Sequence, residues 1–122
     1  MSAVLEAASA RQLQELYARY KALALATGAS LVLDARDEAL AAEVEALLRD
    51  CLAARRATVE LEPQFAACVE AAGELRLLIR GEASSASLER ARESHRRLRR
   101  AVWSVLPCEY VPCCAEHVHH ER

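Results

Sequence analysis

Between Pro107 and His120 the chain gathers three of its five cysteines and three of its four histidines into fourteen residues: Cys108, Cys113, Cys114, His117, His119 and His120. Thiolates and imidazoles together suit zinc, and thiolates alone suit Cu(I). Cys108 and Cys113 are separated by four residues that include Pro112, an interval within the range used by zinc cysteines. If a helical turn resumes after Pro112, His117 lies one turn beyond Cys113 or Cys114. His119 or His120 can then complete a tetrahedral set of two thiolates and two imidazoles. Neighbouring side chains diverge, so Cys114 is expected to be spare or to serve a second partner, and His95 joins the set only if the segment folds back. The expectation is a zinc site, with copper as the alternative. Against it stand two plainer readings: Tyr110, Val111 and the cysteines cover the open end of the scaffold without metal, or the run forms no site.

No catalytic constellation competes with this cluster. A di-iron bundle needs two E-x-x-H pairs facing inward, and Glu116 with His119 is the only pair. Three glycines form no phosphate loop, and no orienting group is evident for a cysteine nucleophile. A non-enzymatic protein is therefore expected. The two remaining cysteines, Cys51 and Cys68, fall on apolar helical faces and read as small core residues. An odd cysteine count in a reducing compartment argues against a disulfide framework.

The scaffold that must carry such a segment is legible in the composition. With 53% hydrophobic, 28% charged and only 4% aromatic residues, the chain is globular with an aliphatic core, a mixture that favours helices. At 122 residues it has the size of one domain. The formal charge of −2 offers polyanions little overall attraction. Fifteen arginines against the single Lys21, and no asparagine, reflect GC-rich codons as much as any ligand. The start, Met1 to Glu6, lacks a basic, apolar leader, and the uncharged run Ala22 to Leu33 is too short to span a bilayer. A cytoplasmic protein is expected, with no membrane association and nucleic acid an improbable partner.

Apolar residues recur at alternating three and four in four segments. The first stripe is Leu13, Leu16, Tyr20 and Leu23, with Gly28 a natural stop. The second is Leu40, Val44, Leu47, Cys51 and Ala54, opened by Asp34 or Asp37 as cap. The third, Phe65, Cys68, Ala72, Leu75 and Ile79, starts at Pro63 and stops at Gly81, with Gly73 marking a close contact or a break. The fourth, Leu88, Ala91, His95, Leu98, Val102 and Val105, is capped by Ser84, Ser85 or Ser87 and ended near Leu106 by Pro107. His95 is expected at the core boundary, satisfied by one hydrogen bond.

The prediction is all-α: an up-down four-helix bundle over residues 1–106, carrying an irregular Cys/His-rich segment over 107–122. The rival fold is α/β, with strands at Leu31 to Asp34, Thr58 to Glu62 and Glu74 to Arg80. The fourth segment carries six arginines against two glutamates, while the span Asp34 to Asp50 carries six acids against two arginines. These two are expected to attract each other or to be solvated, rather than to recruit RNA. A second apolar stripe left exposed on any helix would need another protein, or a second copy, to cover it.

Overall fold

The computed structural model describes residues 3–33, 37–81 and 83–105. All four predicted helices are present: α1 (Ala3–Leu33), α2 (Glu38–Ala57), α3 (Glu62–Ile79) and α4 (Ser85–Trp103). They pack as an all-α bundle in which α3 touches each of the others, whereas α1 and α4 meet only sparsely.

Local chemistry sets the boundaries. Asp37 is extended at the N-cap of α2, and its carboxylate accepts from the amides of Ala39 at 3.0 Å and Leu40 at 3.2 Å. The alternative cap, Asp34, lies outside the described residues. Pro63 occupies the first turn of α3, where its missing amide hydrogen removes no helical bond. Gly81 takes φ 87° just past the end of α3, the left-handed conformation that favours glycine.

At the head of α4 the Ser84 hydroxyl accepts from the Ser87 amide at 3.1 Å, and the Ser87 hydroxyl accepts from the Ser84 amide at 2.6 Å. This reciprocal box satisfies two donors that the first turn would otherwise orphan. Ser84→Ala is expected to lower stability by about 1 kcal/mol in urea denaturation. A loss below roughly 0.3 kcal/mol would show that a neighbouring serine takes over the cap.

Three expectations are corrected. Gly28 does not stop α1, which runs on to Leu33. Its cost of about 1 kcal/mol is small, and Leu31 beyond it is half-buried. Thr27 is buried, with its hydroxyl donating to the Leu23 carbonyl at 2.7 Å. Gly73 likewise neither breaks α3 nor marks a close contact, since a Cβ there meets nothing within 4 Å. The rival strands are absent among the described residues: 31–33 are in α1, 74–79 are in α3, and Thr58–Leu61 form the turn between α2 and α3. The alternation in that turn has no sheet to bury it, and Val59 is 84% exposed.

The core is aliphatic, as expected, with Leu13, Val44, Leu47, Phe65, Ala71, Ala72, Leu98 and Val102 wholly buried. Cys51 and Cys68 belong to it. Ion pairs record the helix directions at the surface. Glu45 meets Arg76 and Arg55 meets Glu62, so α2 and α3 run antiparallel. Glu74 meets Arg90 and Glu70 meets Arg97, which sets α4 antiparallel to α3.

Among the described residues, the ion pairs of Arg90, Arg92, Arg96 and Arg97 run to acids of α3 and of α4 itself rather than of α2. Arg97 pairs with Glu70 of α3 and Glu93 of its own helix, and Arg96 with Glu93 and Glu89. The acids of α2 go to Arg19 of α1 and Arg76 of α3. Because α3 lies beside both α2 and α4, it intercepts the attraction expected between them. Arg96 holds the Glu93 carboxyl below the usual carboxylate range, chiefly through its hydrogen bond. Exposed pairs of this kind are each worth roughly 0–1 kcal/mol, so they specify register more than stability.

Candidate functional site

The predicted metal ligands Cys108, Cys113, Cys114, His117, His119 and His120 all lie outside the described residues. Among the described residues no group of three or more His, Cys, Asp or Glu side chains is placed to hold a metal ion. The described residues do build an apolar groove between α1 and α4, on the side where those helices barely meet.

The groove follows from how α4 divides its apolar residues. The face that α4 buries comprises Ser87, Ser94, Leu98 and Val102. Leu88, Ala91 and His95, which the sequence stripe places with the core, are only half-buried and form one wall of the groove. Ser94 replaces them inside, its hydroxyl donating to the Ala91 carbonyl at 3.0 Å, so a small polar residue enters the core already satisfied.

The opposite wall is the second half of α1. Ala24, Gly28 and Leu31 line the inner part, which encloses about 380 Å³. Leu25, Ala29 and Leu33 extend the surface outward into an open depression of about 790 Å³. Leu25 is 78% exposed and Leu33 74% exposed, so α1 carries a second apolar stripe that nothing in the described fold covers. Gly28 deepens the groove, because a Cβ at this position would meet no atom within 4 Å.

Polar groups are few and of one sign. Lys21, Arg92 and Arg96 line the groove, and no described carboxylate does. Lys21 sits 5.4 Å from the Tyr17 ring, a cation–π contact. Arg92 and Arg96 each reach Glu89 at 3.5 Å, outside the groove lining.

At the base, His95 Nδ1 lies 3.1 Å from the Tyr20 hydroxyl, with ring centroids 5.5 Å apart. His95 is thus the boundary histidine that its stripe position implies. Burial, helped by Tyr17 and Cys68, pushes the Tyr20 hydroxyl above its usual range. The phenol therefore stays protonated and can donate to a neutral imidazole, which fixes the ring rather than activating it.

Cys51 and Cys68 face each other inside the bundle. A hydrogen bond between the two thiols, followed by burial, pushes the Cys68 thiol far above its usual range. The Cys68 thiol is therefore no thiolate nucleophile in this setting, and Cys51 beside it is 1% exposed. Sequence periodicity alone did not reveal the groove, since helical spacing cannot say which of two adjacent faces a neighbour covers. The available signal was the extra width of apolar surface on α1, where Leu25 and Leu33 lie off the stripe of Leu13, Leu16, Tyr20 and Leu23.

No helix among the described residues is long and apolar enough to cross a membrane. No family model, curated protein or solved structure matches the chain.

Proposed function

We propose that this chain is a non-enzymatic interaction protein, an up-and-down bundle that receives an acidic amphipathic helix of another protein in the groove between α1 and α4. The observation that carries this reading is the uncovered stripe of Leu25, Ala29 and Leu33 on α1, flanked by Lys21, Arg92 and Arg96 with no described carboxylate in the lining. Apolar floor and cationic rim complement a helix whose leucines are flanked by glutamates. From Tyr20 to Leu33 the wall is about 20 Å long, enough for four turns of a partner helix. The raised Tyr20 and Cys68 groups favour binding over catalysis, because neither can act as base or nucleophile near neutral pH.

The test uses a designed four-turn peptide with leucines at three-and-four spacing and glutamate flanks, beside a twin with lysine flanks. The glutamate peptide is expected to bind at least about tenfold more tightly, and to weaken as salt is added. Gly28→Leu should fill the groove and weaken that peptide by about tenfold or more. Because the helix gains propensity there and the added Cβ meets no neighbour, thermal stability should not fall. Equal binding of the two peptides, or full binding by Gly28→Leu, would sink the reading. Concentration-dependent dimers that Gly28→Leu dissolves would assign the groove to a second copy instead.

A second reading rests on a different observation, the crowding of three cysteines and three histidines between Pro107 and His120. We propose that Cys108 and Cys113, with His117 and either His119 or His120, bind zinc, or copper less readily, in a structural or regulatory role. Metal analysis of protein purified without an affinity tag is expected to find near-stoichiometric zinc, lost on replacing Cys108 and Cys113 by serine. Retention of that zinc in the double variant, or metal-free protein, would refute the assignment. Binding should weaken in acid as thiolates and imidazoles protonate.

A further inference from the structure

We propose that Cys51 and Cys68 are a disulfide-forming pair that joins α2 to α3, oxidised when the bundle opens and locked when it has closed. The ion pair Glu45–Arg76 near one end and Arg55–Glu62 near the other set the register of the two antiparallel helices. Midway between them Cys51 and Cys68 come opposite one another, 1% and 2% exposed. Both belong to the same core cluster, and Cys51 is the first cause of the upward push on the Cys68 thiol. Packed helices have axes ~8–10 Å apart and each Cα lies ~2.3 Å off its axis, so facing Cα atoms of helices ~9–10 Å apart reach the ~4.4–6.8 Å span that a disulfide bridges.

Both cysteines are free in this structure. The oxidant required is a low-molecular-weight disulfide, such as oxidised glutathione. When α2 and α3 separate, one cysteine loses its proton and its thiolate attacks a sulfur of that disulfide, giving a protein mixed disulfide and expelling one small thiolate. The second cysteine, deprotonated in turn, attacks the protein sulfur of the mixed disulfide. The Cys51–Cys68 bond forms and a second small thiolate leaves. The two cysteine protons end on the two released thiols, so the protein loses two protons and two electrons and the small disulfide gains them. In the closed bundle both residues are buried from any small disulfide, and the Cys68 thiol does not ionise readily, so exchange stops in whichever state was present.

The experiment treats the full chain with oxidised glutathione in native buffer and, in parallel, in urea just below the unfolding transition. Acid quenching, alkylation and tryptic mapping follow. Cleavage after Arg55 and Arg56 separates the Cys51 and Cys68 peptides, and cleavage after Arg100 separates Cys108, Cys113 and Cys114 from both. The expected result is a linked Cys51–Cys68 peptide pair that forms roughly a hundredfold faster in urea than in native buffer. The oxidised protein should melt about 10 °C above the reduced one.

Recovery of Cys51 and Cys68 only as separate glutathione adducts, or joined to the later cysteines, would overturn the pairing. A linked protein that melts below the reduced form would also overturn it, because the bridge would then strain the helices. Equal rates in the two buffers would overturn the locking. The peptide map needs no variant, so a cysteine substitution that failed to fold would not obscure the answer.

Discussion

Phe65→Ala is expected to cost about 3–5 kcal/mol, against the roughly 5–15 kcal/mol that holds a typical domain together. Phe65 is the only phenylalanine of the chain and is wholly buried in the first turn of α3. It belongs to the core cluster to which all four helices contribute, through residues such as Leu13, Leu47 and Leu98. Truncation removes the transfer free energy of a large ring and leaves a cavity that helices anchored elsewhere cannot fully collapse. The urea midpoint should fall sharply with little change in slope, because the native state exposes no more surface than before. A loss under about 1.5 kcal/mol would mean that the head of α3 is not where the packing concentrates.

The second prediction concerns three consecutive positions with opposite responses. Ala71 and Ala72 are both wholly buried, whereas Gly73 is only partly so and has no atom within 4 Å of where its Cβ would stand. Because α3 touches all three other helices, its surface must be low where two neighbours approach together. Ala71→Leu is therefore expected to overpack the core and cost about 1–3 kcal/mol, although leucine is the more hydrophobic residue. Gly73→Ala, one turn-step away, should stabilise by about 0.5–1 kcal/mol through helix propensity alone. Urea denaturation of the two variants side by side checks both signs. If Ala71→Leu stabilised the protein, the close packing of α3 against its neighbours would be refuted.

These two results bear on function because the groove exists only through the central place of α3. By holding α2 on one side and α4 on another, α3 leaves α1 and α4 with little contact of their own, and the gap between them is the groove. On the proposed reading, the fold thereby separates stability from recognition. Residues such as Phe65 and Ala71 set the former, while Gly28, Leu25 and Leu33 can change without touching the core. Neither Cys51 nor Cys68 lines the groove, so bridging them should leave peptide binding intact.

Much of this protein is written locally in its sequence. The three-and-four stripes, the Asp37 and Ser84 caps, Pro63 and Gly81 identify four helices and most of their ends, because each depends on backbone and side-chain chemistry within a turn or two. The same stripes place Cys51 and Cys68 inside and His95 at the boundary, since a side chain's face on a helix is determined by periodicity. Tertiary packing decided the rest. Gly28 did not end α1, whose half-buried Leu31 lies beyond it, so one glycine's local cost was not the deciding term. Which half of the α4 stripe entered the core, and which became the groove wall, depended on the angle at which α4 met α3, a property of two helices that neither sequence encodes alone. The arginines of α4 found their carboxylates on α3 rather than α2 for the same reason: charge says what will attract, and only the assembled bundle says what is near.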